Sequence, residues 1–174
     1  MKMVRRFRAI SLIAFVLVGL LVSTAGSVVA DTSYTCPANT CSFSVPDFYS
    51  KVSSDDTSII FKDANSGGTF TVAITDFPAT GTLDDAVQAV TIQISSLDAF
   101  QADPNGPQNE TVGGNPARSL LYTFNLDDGT PAKAKVFFTV YQGKLYLLQF
   151  ATTPDQEDAF VQNAQPVFDS WQFT

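Results

Sequence analysis

The chain has 174 residues, 45% hydrophobic and 16% charged, which is the composition of a globular protein rather than a disordered one. It contains no histidine, so the commonest general base, the commonest metal ligand and every Ser-His or Cys-His nucleophile are excluded. Two cysteines are too few for a four-ligand zinc site, and a formal charge of −7 leaves no basic footprint for nucleic acid.

Residues 1–30 read as a secretory signal peptide. Lys2, Arg5, Arg6 and Arg8 make the positive n-region, and Ile10 to Val22 is an almost unbroken apolar run. Val28 and Ala30 suit the −3 and −1 pockets of a signal peptidase, which places the cut between Ala30 and Asp31. The alternative, an uncleaved anchor, calls for a longer apolar run. A lipid anchor calls for a cysteine after the cut, where Asp31 stands. The expectation is a soluble protein of the cell envelope or exterior with no stable membrane anchor. Cleavage takes four of the ten basic residues and none of the seventeen acidic ones; six against seventeen leaves −11. Such a charge repels phosphate-rich polymers, so no nucleic-acid partner is expected.

Just inside that N-terminus stands Cys36-Pro-Ala-Asn-Thr-Cys41. Export into an oxidising compartment favours a local disulfide between Cys36 and Cys41. The alternative, a redox-active pair, calls for a Cys-x-x-Cys spacing at a helix N-terminus. Strand patterns follow at Ser42–Val45, stopped by Pro46, at Thr57–Phe61, and after an Asn65-Ser-Gly-Gly68 turn at Thr69–Thr75. In the last of these Phe70, Val72 and Ile74 share one face. Thr82-Leu-Asp-Asp85 is a capping box, and Leu83, Val87, Val90, Ile94 and Leu97 follow at helical spacing. The Pro/Gly/Asn-rich stretch Ala102–Gln108 reads as a loop.

A second strand block spans Ala117–Asn125, Ala132–Tyr141 and Leu145–Ala151, turned at Asp127-Asp-Gly129 and at Gln142-Gly143. These strands are apolar on both faces, which predicts the middle of a layered structure. Thr153-Pro-Asp-Gln156 reads as a second capping box, followed by Phe160, Ala164, Val167, Phe168 and Trp171 on one apolar side. Pro166 inside that run predicts a break or kink. The order predicts an α+β fold, an antiparallel sheet covered by helices.

Gly113-Gly-Asn-Pro-Ala-Arg-Ser-Leu-Leu-Tyr122, Gly143-Lys-Leu-Tyr-Leu-Leu-Gln-Phe-Ala151 and the closing Phe168-Asp-Ser-Trp-Gln-Phe173 resemble the PsbP-like superfamily. That group holds extrinsic photosystem II proteins, Mog-type Ran-binding proteins and many exported bacterial relatives. The resemblance covers nearly all of residues 31–174, from Phe43-Ser-Val-Pro46 onward, and implies one domain there: an α/β/α sandwich around a central antiparallel sheet. Phe48-Tyr49 stands where related families often carry tryptophan. Without histidine, metal positions proposed for photosynthetic members do not carry over, and neither a metal nor another cofactor is expected.

No residue stands out as catalytic, and none as a ligand contact. Asp55-Asp56, Asp84-Asp85 and Asp127-Asp128 are carboxylate pairs, but neighbours in a chain point apart and do not converge on a cation. Asp84-Asp85 suits a helix N-terminus and Asp127-Asp128 a turn. Arg118, the one arginine after residue 30, offers either an anion-binding fork or a partner for a surface carboxylate. Asn109-Glu-Thr111 fits a glycosylation sequon. Trp171 reads as core. Two functions remain open: a monomeric, exported, non-catalytic module that binds another protein, or a carrier holding a small apolar ligand between sheet and helices. An enzyme is not expected.

Overall fold

The structure, a computed structural model, describes residues 31–174; the side chains of Ala38 and of residues 157–163 lie outside the described set, as do the predicted signal peptide and its Ala30. In chain order the elements are β1 (Thr32–Thr35), β2 (Cys41–Val45), β3 (Tyr49–Ser54), β4 (Ser58–Asp63), β5 (Thr69–Asp76), α1 (Leu83–Ile94), β6 (Gln101–Ala102), β7 (Gln108–Val112), β8 (Asn115–Asn125), β9 (Pro131–Tyr141), β10 (Lys144–Thr152), α2 (Glu157–Ser170) and β11 (Gln172–Phe173). The class is α+β, mostly antiparallel sheet with two helices.

The larger sheet runs β3-β4-β5-β10-β9-β8-β6, with β7 also paired to β8. The long apolar strands of the second block take its centre, and each pairing is antiparallel. Gln142 and Gly143 both have positive φ, 47° and 74°, which matches the twist of a two-residue hairpin joining β9 to β10. One separation was not predicted. β2 leaves the larger sheet and forms a small one, β1-β2-β11, in which the last residues of the chain pair with Cys41 and Ser42.

Alternation along the strands supplies two apolar clusters. Phe61, Phe70, Val72, Ile74, Tyr146, Leu148 and Phe150 join Phe43, Ala164, Val167 and Trp171 in one. Leu120, Tyr122, Phe124, Ala134, Val136, Phe138 and Leu145 join Ala86, Val90 and Ile94 of α1 in the other. Neighbouring residues of β10, Leu145 and Tyr146, thus enter different clusters, as period-2 geometry requires.

The first capping box forms as read: Asp85 N–H donates to Thr82 Oγ1 at 3.2 Å, and Thr82 N–H donates to Asp85 Oδ2 at 2.9 Å. The α1 face is shifted by a little, with Ala86 fully buried and Leu83 only half-buried. The second box does not form. Residues Pro154–Gln156 close a 3-10 turn instead, the Thr153 hydroxyl bonds the Asp155 carboxylate, and α2 begins after Gln156 without a side-chain cap. Of the break or kink predicted at Pro166, a break does not occur: α2 runs on to Ser170, because proline forfeits one intrahelical bond while Ala164 and Val167 on either side are held in the core. Trp171 sits one residue past the helix, in extended conformation, and leads into β11.

Candidate functional site

Several of the residues singled out from the sequence have local structural partners. Cys36 and Cys41 are disulfide-bonded and buried, with Cα atoms 5.0 Å apart. Arg118 bonds Asn109 Oδ1 and lies 3.5 Å from Asp84 Oδ1, so the arginine, the sequon asparagine and one acid of the second pair form one surface cluster. Asp55 accepts from the backbone and hydroxyl groups of Thr57 and Ser58, and those bonds hold its carboxyl below the usual range. Asp128 is lowered in the same way by Thr130. Among the described residues no three of His, Cys, Asp and Glu gather into a group able to hold a metal ion.

Sequence reading missed a buried carboxylate. Asp63 has no exposed surface and accepts from Asn65 N–H at 2.7 Å and from the Ser66 hydroxyl at 2.8 Å. It shapes the β4–β5 turn. Burial, and then the Asp63 charge, push the neighbouring Tyr49 hydroxyl far above its ordinary pKa.

The concave feature with mixed chemistry lies elsewhere, on the cluster face that α2 shares. A cleft of about 560 Å³ opens over Ser119 and Leu121 of β8, Lys133 and Lys135 of β9, and Phe150 and Thr152 of β10. The register sets these side chains in rows: Leu121 faces Lys135, which faces Phe150, and Lys133 faces Thr152. The segment between β6 and β7, with Asp103, Asn105 and Gln108, forms one wall. A smaller cleft of about 190 Å³ continues past Lys135 and Phe150 to Phe137 and to Phe168, Ala164 and Gln165 of α2. The two make one groove.

Its polar groups are partly committed. Glu110 Oε1 accepts from Lys135 at 3.1 Å and from the Ser119 hydroxyl at 2.9 Å. The Lys135 ammonium also sits 4.5 Å above the Phe137 ring. Thr152 Oγ1 is buried and has no hydrogen-bond partner. Hydrogen-bonding and apolar groups line it side by side, an arrangement equipped to bind.

No family profile matches the sequence, and no curated protein matches it. Solved structures do. The solution structure of cyanobacterial PsbP (CyanoP) from Synechocystis sp. PCC 6803 superposes with a TM-score of 0.57 at 20% identity, covering 90% of this chain and all of that one. The fold is PsbP-like. LpqN of Mycobacterium tuberculosis, described as involved in cell envelope biogenesis, has a TM-score of 0.58 at 17% identity, with 84% of this chain and 91% of that one covered. A Pseudomonas aeruginosa protein of unknown function has 0.51 at 18%, over 78% and 94% of the two chains. At these identities the likeness is one of fold, and the PsbP-like fold carries no groove residue across with it.

Proposed function

We propose that this protein is an exported, non-catalytic accessory module that works by binding, and that the groove on the α2 side of the sheet is its binding surface. The observation that carries the reading is a cleft of about 560 Å³ opening on a sheet face that elsewhere is packed with aromatic side chains. Placement of α1 and α2 in separate clusters supports the α/β/α layering, with the groove at the edge of the α2 layer.

Several observations support an extracytoplasmic setting. Cys36–Cys41 is bonded, which suits an oxidising compartment, and the 1–30 segment has the pattern of a cleaved signal ending at Ala30. No helix among the described residues is long and apolar enough to cross a membrane. LpqN, of the same fold, is tied to cell envelope biogenesis, and a like setting is proposed here. A wholly apolar cargo fits less well, because five of the eleven residues lining the larger cleft are Lys133, Lys135, Asp103, Asn105 and Gln108.

Capture from the native envelope with paired variants tests this. Gln165 is exposed on the groove wall, and Ile92 is 67% exposed on α1. Wild-type protein and Ile92→Trp should retain the same species, and Gln165→Trp should lose it. Retention by Gln165→Trp at wild-type level would contradict the assignment of the groove.

A further inference from the structure

We propose that Asn105 is a modification site: an asparagine that converts itself to aspartate and isoaspartate through a cyclic imide closed by the Gly106 nitrogen. Of all the asparagines in the chain, Asn105 alone precedes a glycine. A side-chain amide carbon and the next backbone nitrogen close a five-membered ring, so the attack needs only that the two meet in the right orientation. Glycine has no Cβ to obstruct that approach. A Cβ built at Gly106 would meet nothing within 4 Å, so the surroundings leave room for the ring as well.

The turn that holds this pair leaves the reacting amide out of its bonds. Asp103 Oδ1 accepts from Asn105 N–H at 2.8 Å, and Asp103 O accepts from Gly106 N–H at 3.0 Å. Gln108 Nε2 donates to Asn105 O at 2.9 Å and to Gly106 O at 3.1 Å. Each bond uses the backbone of Asn105 or Gly106, and Asn105 itself is exposed. Parting one hydrogen bond, Gly106 N–H to Asp103 O, frees the nitrogen, and water compensates most of that loss. Asn65 is placed differently. Ser66 follows it, with a side chain whose hydroxyl is tied to buried Asp63 at 2.8 Å. Asp128 also precedes a glycine, but it presents a carboxylate, bonded to Thr130 N–H at 2.9 Å, in place of an amide.

The Gly106 nitrogen bonds to Asn105 Cγ as the bond from Cγ to Nδ2 breaks, and the amide nitrogen leaves as ammonia with the proton that Gly106 gives up. Water then opens the imide at either carbonyl. Opening at the side-chain carbonyl gives aspartate. Opening at the backbone carbonyl gives isoaspartate, whose main chain runs through the former side chain. Asn105 stands in the wall of the larger cleft, and the two clefts together carry Lys133 and Lys135 against Asp103 and Glu110. Either product adds a third acid, and isoaspartate also displaces the carbonyl that Gln108 holds.

Peptide mapping by mass spectrometry tests this on the folded, disulfide-bonded protein, aged at mildly alkaline pH. The amide-to-acid mass shift should gather at Asn105, with aspartate and isoaspartate both present, before any appears at Asn65. Gly106→Ala should slow the conversion by at least about tenfold, equivalent to a barrier raised by about 1.4 kcal/mol. Gln108→Ala, which unties Asn105 O and Gly106 O, should speed it severalfold. Melting temperatures show that each variant is folded, and if one is not, the other decides. An Asn105 that stays an amide, equal conversion at Asn65, a folded Gly106→Ala as fast as wild type or a folded Gln108→Ala no faster would each overturn the proposal. The readout is independent of what the groove binds, so it stands or falls apart from the capture experiment with Gln165→Trp.

Discussion

Trp171 shows how much one side chain can carry. It is 3% exposed, stacks on Phe43 at 5.0 Å with the rings 10° apart, and meets Phe173 edge-on. Gly113, at a φ of +55°, lies under it so closely that a Cβ there would stand 2.7 Å from the indole Cδ1. Because the indole N–H is buried without a partner, its worth is packing rather than hydrogen bonding. Trp171→Ala should therefore cost about 3–5 kcal/mol, read as a fall in thermal or denaturant midpoint, out of the 5–15 kcal/mol that a domain of this size has. An unchanged midpoint would contradict the core assignment. The sequence spacing from Val167 already marked Trp171 as buried, even though the helix stops one residue short of it. Asp63 was illegible for the opposite reason: Asp63-Ala-Asn-Ser-Gly reads as an exposed turn, and only the closed loop reveals that its carboxylate turns inward to accept from Ser66.

Elements with a strong period were the legible ones. β5 and α1 have alternating and helical apolar positions, β8, β9 and β10 have long runs apolar on both faces between clear turns, and each stands close to where those patterns put it. β3 and β7 do not: past Tyr49 every residue of β3 is exposed, and in β7 Val112 alone is fully buried, so neither carries a period-2 signal. β11 was missed because a two-residue strand has no pattern at all. Its pairing with β2 gives the disulfide its role. Thr174 N–H donates to Thr40 O at 3.1 Å and the Thr174 hydroxyl to Asn39 O at 2.7 Å, both inside the loop that Cys36–Cys41 closes. Cutting so short a loop free costs about 2 kcal/mol in the chain-entropy model. Cys36→Ser with Cys41→Ser should lower stability by that order and speed hydrogen exchange at the Gln172–Thr174 amides most. Uniform acceleration throughout the chain would contradict a local clamp. Alkylation without reductant should label neither cysteine of the wild type.

For the whole molecule, charge and pH follow from composition. With no histidine, no side chain at its ordinary pKa titrates between about pH 5 and 7, and the melting temperature should be flat there. Asp55, Asp85, Asp128 and Asp155 have carboxyls held low by hydrogen bonds from threonine and serine neighbours. A depressed folded pKa gives stability that is present above the unfolded value of about 3.9 and is lost as pH falls through the folded one, so the flat region should end in a decline below about pH 4. Melts across that range check it, and a transition near pH 6.5 would contradict it. The groove could not be read from the sequence. Alternation puts Lys133, Lys135 and Phe137 on one face of β9, but how far α2 reaches over that face depends on where its first turn lands, which the unformed box at Thr153 obscured. The most direct measurement of the groove assignment is photocrosslinking in the native host with p-benzoylphenylalanine at Gln165, against the same probe at Ile92. The account predicts one discrete adduct from Gln165 and none from Ile92; equal labelling at the two positions, or an adduct at Ile92 alone, would contradict it.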